Sequence, residues 1–219
     1  MKFTTFLSLF LLCAFTSKLP SASAVVVDTE GKRLRNGGIY GLRPVIITGN
    51  GGGVEYAATG NETCPLSVVQ NPNPFSLGFP VQISTPPRLY YIDEGANLIL
   101  EFIAPPRCAP TPSLWTAVKA EEEELPVKLR GYDNIVKGWF KIQSVPVDIG
   151  GYNILFCPLD STSCGYVGIQ FDDARNRHLV VTQKADTALW VRFERLSPAS
   201  SATDLHEPSL LLKSHVSTQ

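Results

Sequence analysis

The run Asp148-Ile149-Gly150-Gly151-Tyr152-Asn153-Ile154-Leu155-Phe156 sets a turn directly against a short segment of aromatic and branched apolar residues, and the same unit recurs along the chain. Similar apolar segments are Gly38-Ile39-Tyr40, Val45-Ile46-Ile47, Val81-Gln82-Ile83, Leu98-Ile99-Leu100-Glu101-Phe102, Trp115-Thr116-Ala117-Val118, Leu179-Val180-Val181 and Leu189-Trp190-Val191-Arg192-Phe193. Gly49 to Gly53, Pro105-Pro106 and Asp172-Asp173 interrupt them at short intervals, as a barrel or sandwich requires. No run carries helical periodicity. The pattern predicts an all-β protein, and 17 prolines with 17 glycines suit one β-rich domain better than two small ones.

The N-terminus sets the compartment. Lys2 opens a basic region, Phe6 to Phe15 is an apolar run of secretory length, and Ala22-Ser23-Ala24 supplies small residues for cleavage. Residues 1–24 read as a signal peptide, and no later stretch reaches the length of a membrane span. A secreted or vacuolar location is expected, with no membrane contact by the mature form. Losing Lys2 and Lys18 from 19 basic residues leaves 17 against 20 acidic ones. That mildly acidic balance, without a basic patch, argues against nucleic acid as a partner.

Cys13 leaves with the signal, so Cys64, Cys108, Cys157 and Cys164 remain. Four cysteines in an oxidising compartment read as two disulfides with three possible pairings, and the short Cys157–Cys164 gap makes that local pair attractive. A metal site is the weaker reading, because no CxxC pair occurs and His178, His206 and His215 lack ligand spacing. No cofactor is expected. Asn61-Glu62-Thr63 is a glycosylation sequon.

Other motifs read as structure. Gly49 to Gly53 lacks the Lys-Ser/Thr of a phosphate loop and precedes strand-like Val54-Glu55-Tyr56, so a hairpin loop is expected. Glu121 to Glu124 reads as a solvated loop, since four adjacent carboxylates belong in water and alternating calcium-ligand spacing is absent. No Gly-x-Ser-x-Gly elbow exists, and no histidine is evidently placed to serve a nucleophile, so the chain is not expected to be an enzyme.

Between Cys64 and Cys108 lies Ser84-Thr85-Pro86-Pro87-Arg88-Leu89-Tyr90-Tyr91-Ile92. Two prolines fix φ and remove two backbone donors, which favours a stiff, extended loop presenting Arg88. A basic side chain on such backbone suits a trypsin-like protease, whose specificity pocket carries a buried carboxylate.

Val27-Asp28-Thr29-Glu30-Gly31 with Leu34, Asn36-Gly37-Gly38 and Tyr40 resembles the N-terminal signature of the plant Kunitz family, the soybean trypsin inhibitor type. Gly60 to Gln70, Asp93-Glu94-Gly95, Gly138 to Ile142, Tyr152 to Pro158, Cys164-Gly165 and Arg177 to Val181 extend the resemblance, in order, over roughly Val25 to Leu196. The resemblance implies a β-trefoil of twelve strands in three pseudo-repeats, the pairings Cys64–Cys108 and Cys157–Cys164, and a monomer that inhibits trypsin-like serine proteases. It implies a reactive loop of Thr85, Pro86, Pro87, Arg88, Leu89 and Tyr90 with the reactive bond at Arg88-Leu89. Asn36 matches the family's scaffold asparagine, which braces loop carbonyls from inside.

The domain expected is 25–196, with 197–219 a tail that is either disordered or a sorting propeptide. The second Pro-Pro-Arg, at 105–107, reads as a structural turn anchored by Cys108. Two alternatives accompany the inhibitor reading: a non-inhibitory trefoil that binds a ligand or stores nitrogen in seed, and an inhibitor of another protease class acting through a different loop. The target is either a herbivore's digestive protease in plant defence or an endogenous plant enzyme.

Overall fold

The structure is a computed structural model that describes residues 24–45, 51–64, 66–121, 123–145 and 150–196. The expected signal segment before Ala24, the tail 197–219 with His206 and His215, Ile46-Ile47, Gly49, Glu122 and Asp148-Ile149 lie outside the described residues.

Among the described residues thirteen strands run in chain order: β1 Gly38–Pro44, β2 Val54–Ala57, β3 Ser67–Gln70, β4 Val81–Ser84, β5 Ile99–Phe102, β6 Ser113–Val118, β7 Leu125–Leu129, β8 Ile135–Val136, β9 Gly138–Ser144, β10 Tyr152–Pro158, β11 Gly165–Phe171, β12 Arg177–Thr182 and β13 Trp190–Arg195. The one helical element among the described residues is a single 3-10 turn, Ala185–Thr187. The difference from the twelve expected lies in β8 and β9. Val136 pairs with β6 whereas Gly138 onward pairs with β10, and Lys137 is the residue where one run changes partner.

The pairings define the trefoil. A ring closes through β1–β4, β4–β5, the Leu98–Phe140 bridge to β9, β9–β10, β10–β13 and β13–β1. The hairpins β2–β3, β6–β7 and β11–β12 pair with one another through β3–β7, β7–β12 and β3–β12, closing one end about a pseudo-threefold axis. A closed ring leaves no barrel edge for another chain to extend.

Period-two burial fills the barrel. Val81 and Ile83 of β4, Leu100 and Phe102 of β5, and Val191 and Phe193 of β13 point inward and are almost fully buried, while their neighbours face outward. An aromatic chain crosses the interior from Phe102 to Trp115 (5.3 Å), Trp115 to Phe140 (6.2 Å) and Phe140 to Phe156 (5.1 Å). Each such ring contributes about 2–3 kcal/mol by leaving water.

The cysteines pair as Cys64–Cys108 and Cys157–Cys164. The glycine stretch departs from expectation. β1 pairs with β4 and β13, and β2 with β3, so Gly51 to Gly53 do not close a hairpin between β1 and β2. These glycines are instead buried under the 71–78 loop, where Gly52 donates to the Asn71 carbonyl (2.7 Å) and Gly53 to that of Ser76 (2.8 Å). A Cβ on either would sit 2.1 Å from a backbone oxygen of that loop.

Candidate functional site

The β4–β5 connection leaves the barrel at Ser84 and returns through the bridges at Tyr91 and Asp93. Its stems are anchored by residues 33–37, since Ile92 donates to the Leu34 carbonyl (3.0 Å) and Arg35 pairs with Tyr91. The buried Tyr40 fixes that anchoring segment, because its hydroxyl accepts from the Arg35 N–H at 2.8 Å. Gly37, at φ 75°, turns the chain so that its N–H reaches the Ile83 carbonyl at the end of β4 (2.8 Å). Asn36 is thereby held directly beneath the loop.

Asn36 uses both ends of its amide. Oδ1 accepts from the Thr85 N–H at 2.9 Å, while Nδ2 lies 3.3 Å from the Thr85 carbonyl, 3.2 Å from that of Pro87 and 3.0 Å from that of Leu89. Two amide hydrogens are thus shared among three carbonyls that converge on one nitrogen. The backbone N–H of Asn36 adds a bond to the Tyr90 carbonyl at 3.1 Å. These carbonyls occur on both sides of the Arg88-Leu89 peptide bond.

Thr85 is buried, and Pro86, Pro87, Arg88, Leu89 and Tyr90 are exposed. The Leu89 N–H bonds the Pro87 carbonyl at 2.7 Å, an i to i+2 closure that turns the chain about Arg88 and makes that residue the apex. Beyond the apex, sequence reading missed a stack. The Tyr90 and Tyr91 rings meet edge to face at 5.0 Å, the Arg35 guanidinium lies 5.9 Å from the Tyr90 ring, and that of Arg33 4.3 Å from the Tyr91 ring. Arg33 also donates to Asp93 at 3.0 Å. No local pattern announces the arginine contacts, because Arg35 and Tyr90, Arg33 and Tyr91, and Arg33 and Asp93 are each more than fifty positions apart.

The remaining candidates lie elsewhere. Arg107 is exposed in a turn in which Ala109 donates to the Pro106 carbonyl (3.0 Å), beside Cys108. His178 pairs with Asp172 (2.9 Å) at the β11–β12 turn, where Asn176 also holds that carboxylate. Hydrogen bonds from Asn176 and His178 bring the Asp172 carboxyl down to about 2. Asn61 and Thr63 of the sequon are exposed.

Glu62, between them, is turned inward onto Lys128, Tyr132, Ser67 and Thr59. Burial pushes its carboxyl up, and hydrogen bonds from Lys128, Tyr132, Ser67 and the Thr59 backbone outweigh that, holding it below the usual range. Glu124 corrects the solvated-loop expectation for 121–124. Its side chain is only 15% exposed and accepts from Thr182 Oγ1 and Lys184 Nζ, both at 3.0 Å, while Glu121 and Glu123 stay in water. Among the described residues no group of three or more His, Cys, Asp or Glu is arranged to hold a metal, and no helix is long and apolar enough to cross a membrane.

Residues 26–195 match the legume Kunitz family, described as trypsin and protease inhibitor. A Kunitz-type trypsin inhibitor of Glycine max is 39% identical over 208 residues, covering 92% of this chain and all of the relative. The crystal structure of soybean Kunitz trypsin inhibitor complexed with 1,5-disulfonyl naphthalene superposes with a TM-score of 0.73 at 35% identity, over 79% of this chain and 99% of that one. A soybean trypsin inhibitor in complex with porcine pancreatic trypsin gives 0.71 at 36% identity, with the same coverage.

Proposed function

Because the chain belongs to the legume Kunitz family of trypsin and protease inhibitors, we propose that it inhibits trypsin-like serine proteases by inserting Thr85 to Tyr90 as a substrate mimic, with Arg88-Leu89 as the reactive bond. The family is one of inhibitors, and the chain is no enzyme. Arg88 enters the primary specificity pocket and makes charge-assisted hydrogen bonds to its carboxylate. Backbone on either side pairs with the enzyme as an added strand. Leu89 occupies the pocket across the bond. Pro86 and Pro87 reduce the ordering cost of binding, and Pro87 restricts the target to proteases that accept proline beside the arginine.

The observation that carries this reading is the Asn36 clamp. It holds the carbonyls of Thr85 and Pro87 before the bond and that of Leu89 after it. If the protease breaks the Arg88 C–N bond, the new carboxyl and amine stay side by side, and religation competes with release.

The same reading makes residues 25–196 the folded inhibitor, a proposal supported by the family match over 26–195 and by β13 completing the barrel. It sends the chain through the secretory pathway on residues 1–24, to the exterior or the vacuole. The two disulfides support an oxidising route, and the exposed Asn61 is open to a glycan.

The deciding experiment titrates bovine trypsin with protein spanning residues 25–219, beside Arg88→Ala. Stoichiometric inhibition that the variant loses by about a thousandfold is expected, since the substitution leaves the pocket carboxylate buried and unpaired. Absence of inhibition by both proteins removes the reading while leaving the trefoil intact.

A further inference from the structure

Past the proposed reactive bond, the stack of Arg35, Tyr90, Tyr91 and Arg33 has a structure beyond what loop bracing requires. Asn36 and the bridge at Tyr91 already hold the backbone there. Tyr90 is 68% exposed, so its side chain fills no core position, yet the ring rests edge to face on Tyr91 with the Arg35 guanidinium nearby. Arg33 is neutralised by Asp93. Arg35 is exposed and forms no ion pair among the described residues. With Arg88, this places two uncompensated cations around the bond, on a chain whose acidic residues outnumber its basic ones.

We propose that Tyr90 and Arg35 form a second, preordered contact that selects, among trypsin-like proteases, those whose leaving-group side carries an apolar depression rimmed by carboxylates. The proposal rests on Arg88-Leu89 being the reactive bond, which puts Tyr90 two residues into the leaving-group side. A tyrosine confined before binding loses little rotamer freedom when its exposed face leaves water, which is why such residues dominate interfaces. Its phenol edge remains available to hydrogen-bond at the rim. A rim cation acts mainly on encounter: it raises the association rate toward an acidic surface, and salt screens it over about 10 Å at 0.1 M. Tyr90 therefore governs how long the complex lasts, and Arg35 how fast and with which protease it forms.

The test is stopped-flow association and dissociation of the wild type, Tyr90→Ala and Arg35→Gln with an anionic and a cationic trypsin at low and high ionic strength. Thermal unfolding of each variant checks that the fold is kept. Tyr90→Ala is expected to speed dissociation about tenfold from the anionic enzyme. Arg35→Gln should lower the association rate several-fold with that enzyme at low salt and flatten its salt dependence, with little change toward the cationic one.

Unchanged rates in both variants, beside a wild type that binds tightly, overturn the proposal and leave the reactive bond standing. An Arg35→Gln effect of equal size on both trypsins, independent of salt, also overturns it, since the side chain would then only brace the loop. A wild type that binds neither trypsin removes the reactive bond and this inference together.

Discussion

Asn36 and Leu89 lie 53 residues apart in sequence, and the Asn36 side-chain nitrogen donates to the Leu89 carbonyl at 3.0 Å, on the far side of the proposed reactive bond from its contacts to Thr85 and Pro87. One side chain therefore spans the bond that a protease would cut. A clamp of this kind does little for overall stability, since each hydrogen bond contributes about 1 kcal/mol net. Its consequence is kinetic, because it decides whether the cut ends part or stay together.

Asn36→Ala is expected to turn the inhibitor toward a substrate. Losing the shared carbonyl contacts should weaken trypsin binding about tenfold to a hundredfold and raise the rate of Arg88-Leu89 hydrolysis by a similar factor, with unfolding stability lowered by about 1–2 kcal/mol. Inhibition kinetics and mass analysis of the trypsin-treated protein give the two numbers. An uncut, equally tight variant would remove the clamp from the mechanism.

Arg88→Leu should exchange specificity without disturbing the fold. Arg88 is exposed at the loop apex, so stability should stay within about 0.5 kcal/mol. Trypsin inhibition should fall about a thousandfold, while a chymotrypsin-like enzyme, whose pocket is an apolar slot, should gain affinity by at least about tenfold. Parallel titrations against both enzymes check this.

Glu62 makes stability depend on acid. Its folded-state carboxyl titrates below the usual 4.5 because the bonds from Lys128, Tyr132, Ser67 and Thr59 outweigh burial. A depressed carboxylate stabilises fully above its unfolded value and loses that contribution as pH falls through the folded one. Glu62→Gln should therefore cost about 2 kcal/mol at pH 7, where Lys128 is left without its carboxylate, and much less once the wild-type carboxyl is protonated. Denaturant midpoints of both proteins across pH 2 to 7 measure the convergence.

How much the sequence disclosed follows from which residues face which way. β4, β5, β10 and β13 alternate cleanly or carry dense aromatic runs, so they were legible. β11, Gly165–Phe171, was hidden by its glycines, which packing demands: a Cβ at Gly168 would meet the Thr187 carbonyl at 2.7 Å. β7 was hidden by Pro126 and β9 by Gly138, where a Cβ would strike the Phe156 ring at 2.5 Å. The threefold arrangement rests on pairings between strands distant in sequence, which local pattern does not encode. In the candidate site, Pro86, Pro87 and Arg88 announce an exposed stiff loop by their own chemistry. Asn36 is legible only through family resemblance, and the Arg35–Tyr90 stack through neither, because a polar residue's partner across the fold leaves no local trace.

Gly53→Ala tests the corrected reading of the glycine stretch. A hairpin-loop glycine in open solvent would accept alanine at a cost of a few tenths of a kcal/mol to about 1 kcal/mol. Gly53 is buried, and a Cβ there would sit 2.1 Å from the Leu77 carbonyl oxygen, far inside contact distance. Backbone must then move, breaking the Gly53 bond to Ser76 and the Asn71 bond to Gly53 that seat the 71–78 loop. The expected loss is about 3 kcal/mol or more, combining overpacking with the lost bonds. Trypsin inhibition by the folded fraction should be unchanged, because β4 lies in the chain between this loop and Arg88, and the 85–90 segment is braced by Asn36. Urea unfolding beside active-site titration measures both, and a loss under about 1 kcal/mol would return Gly53 to the open surface.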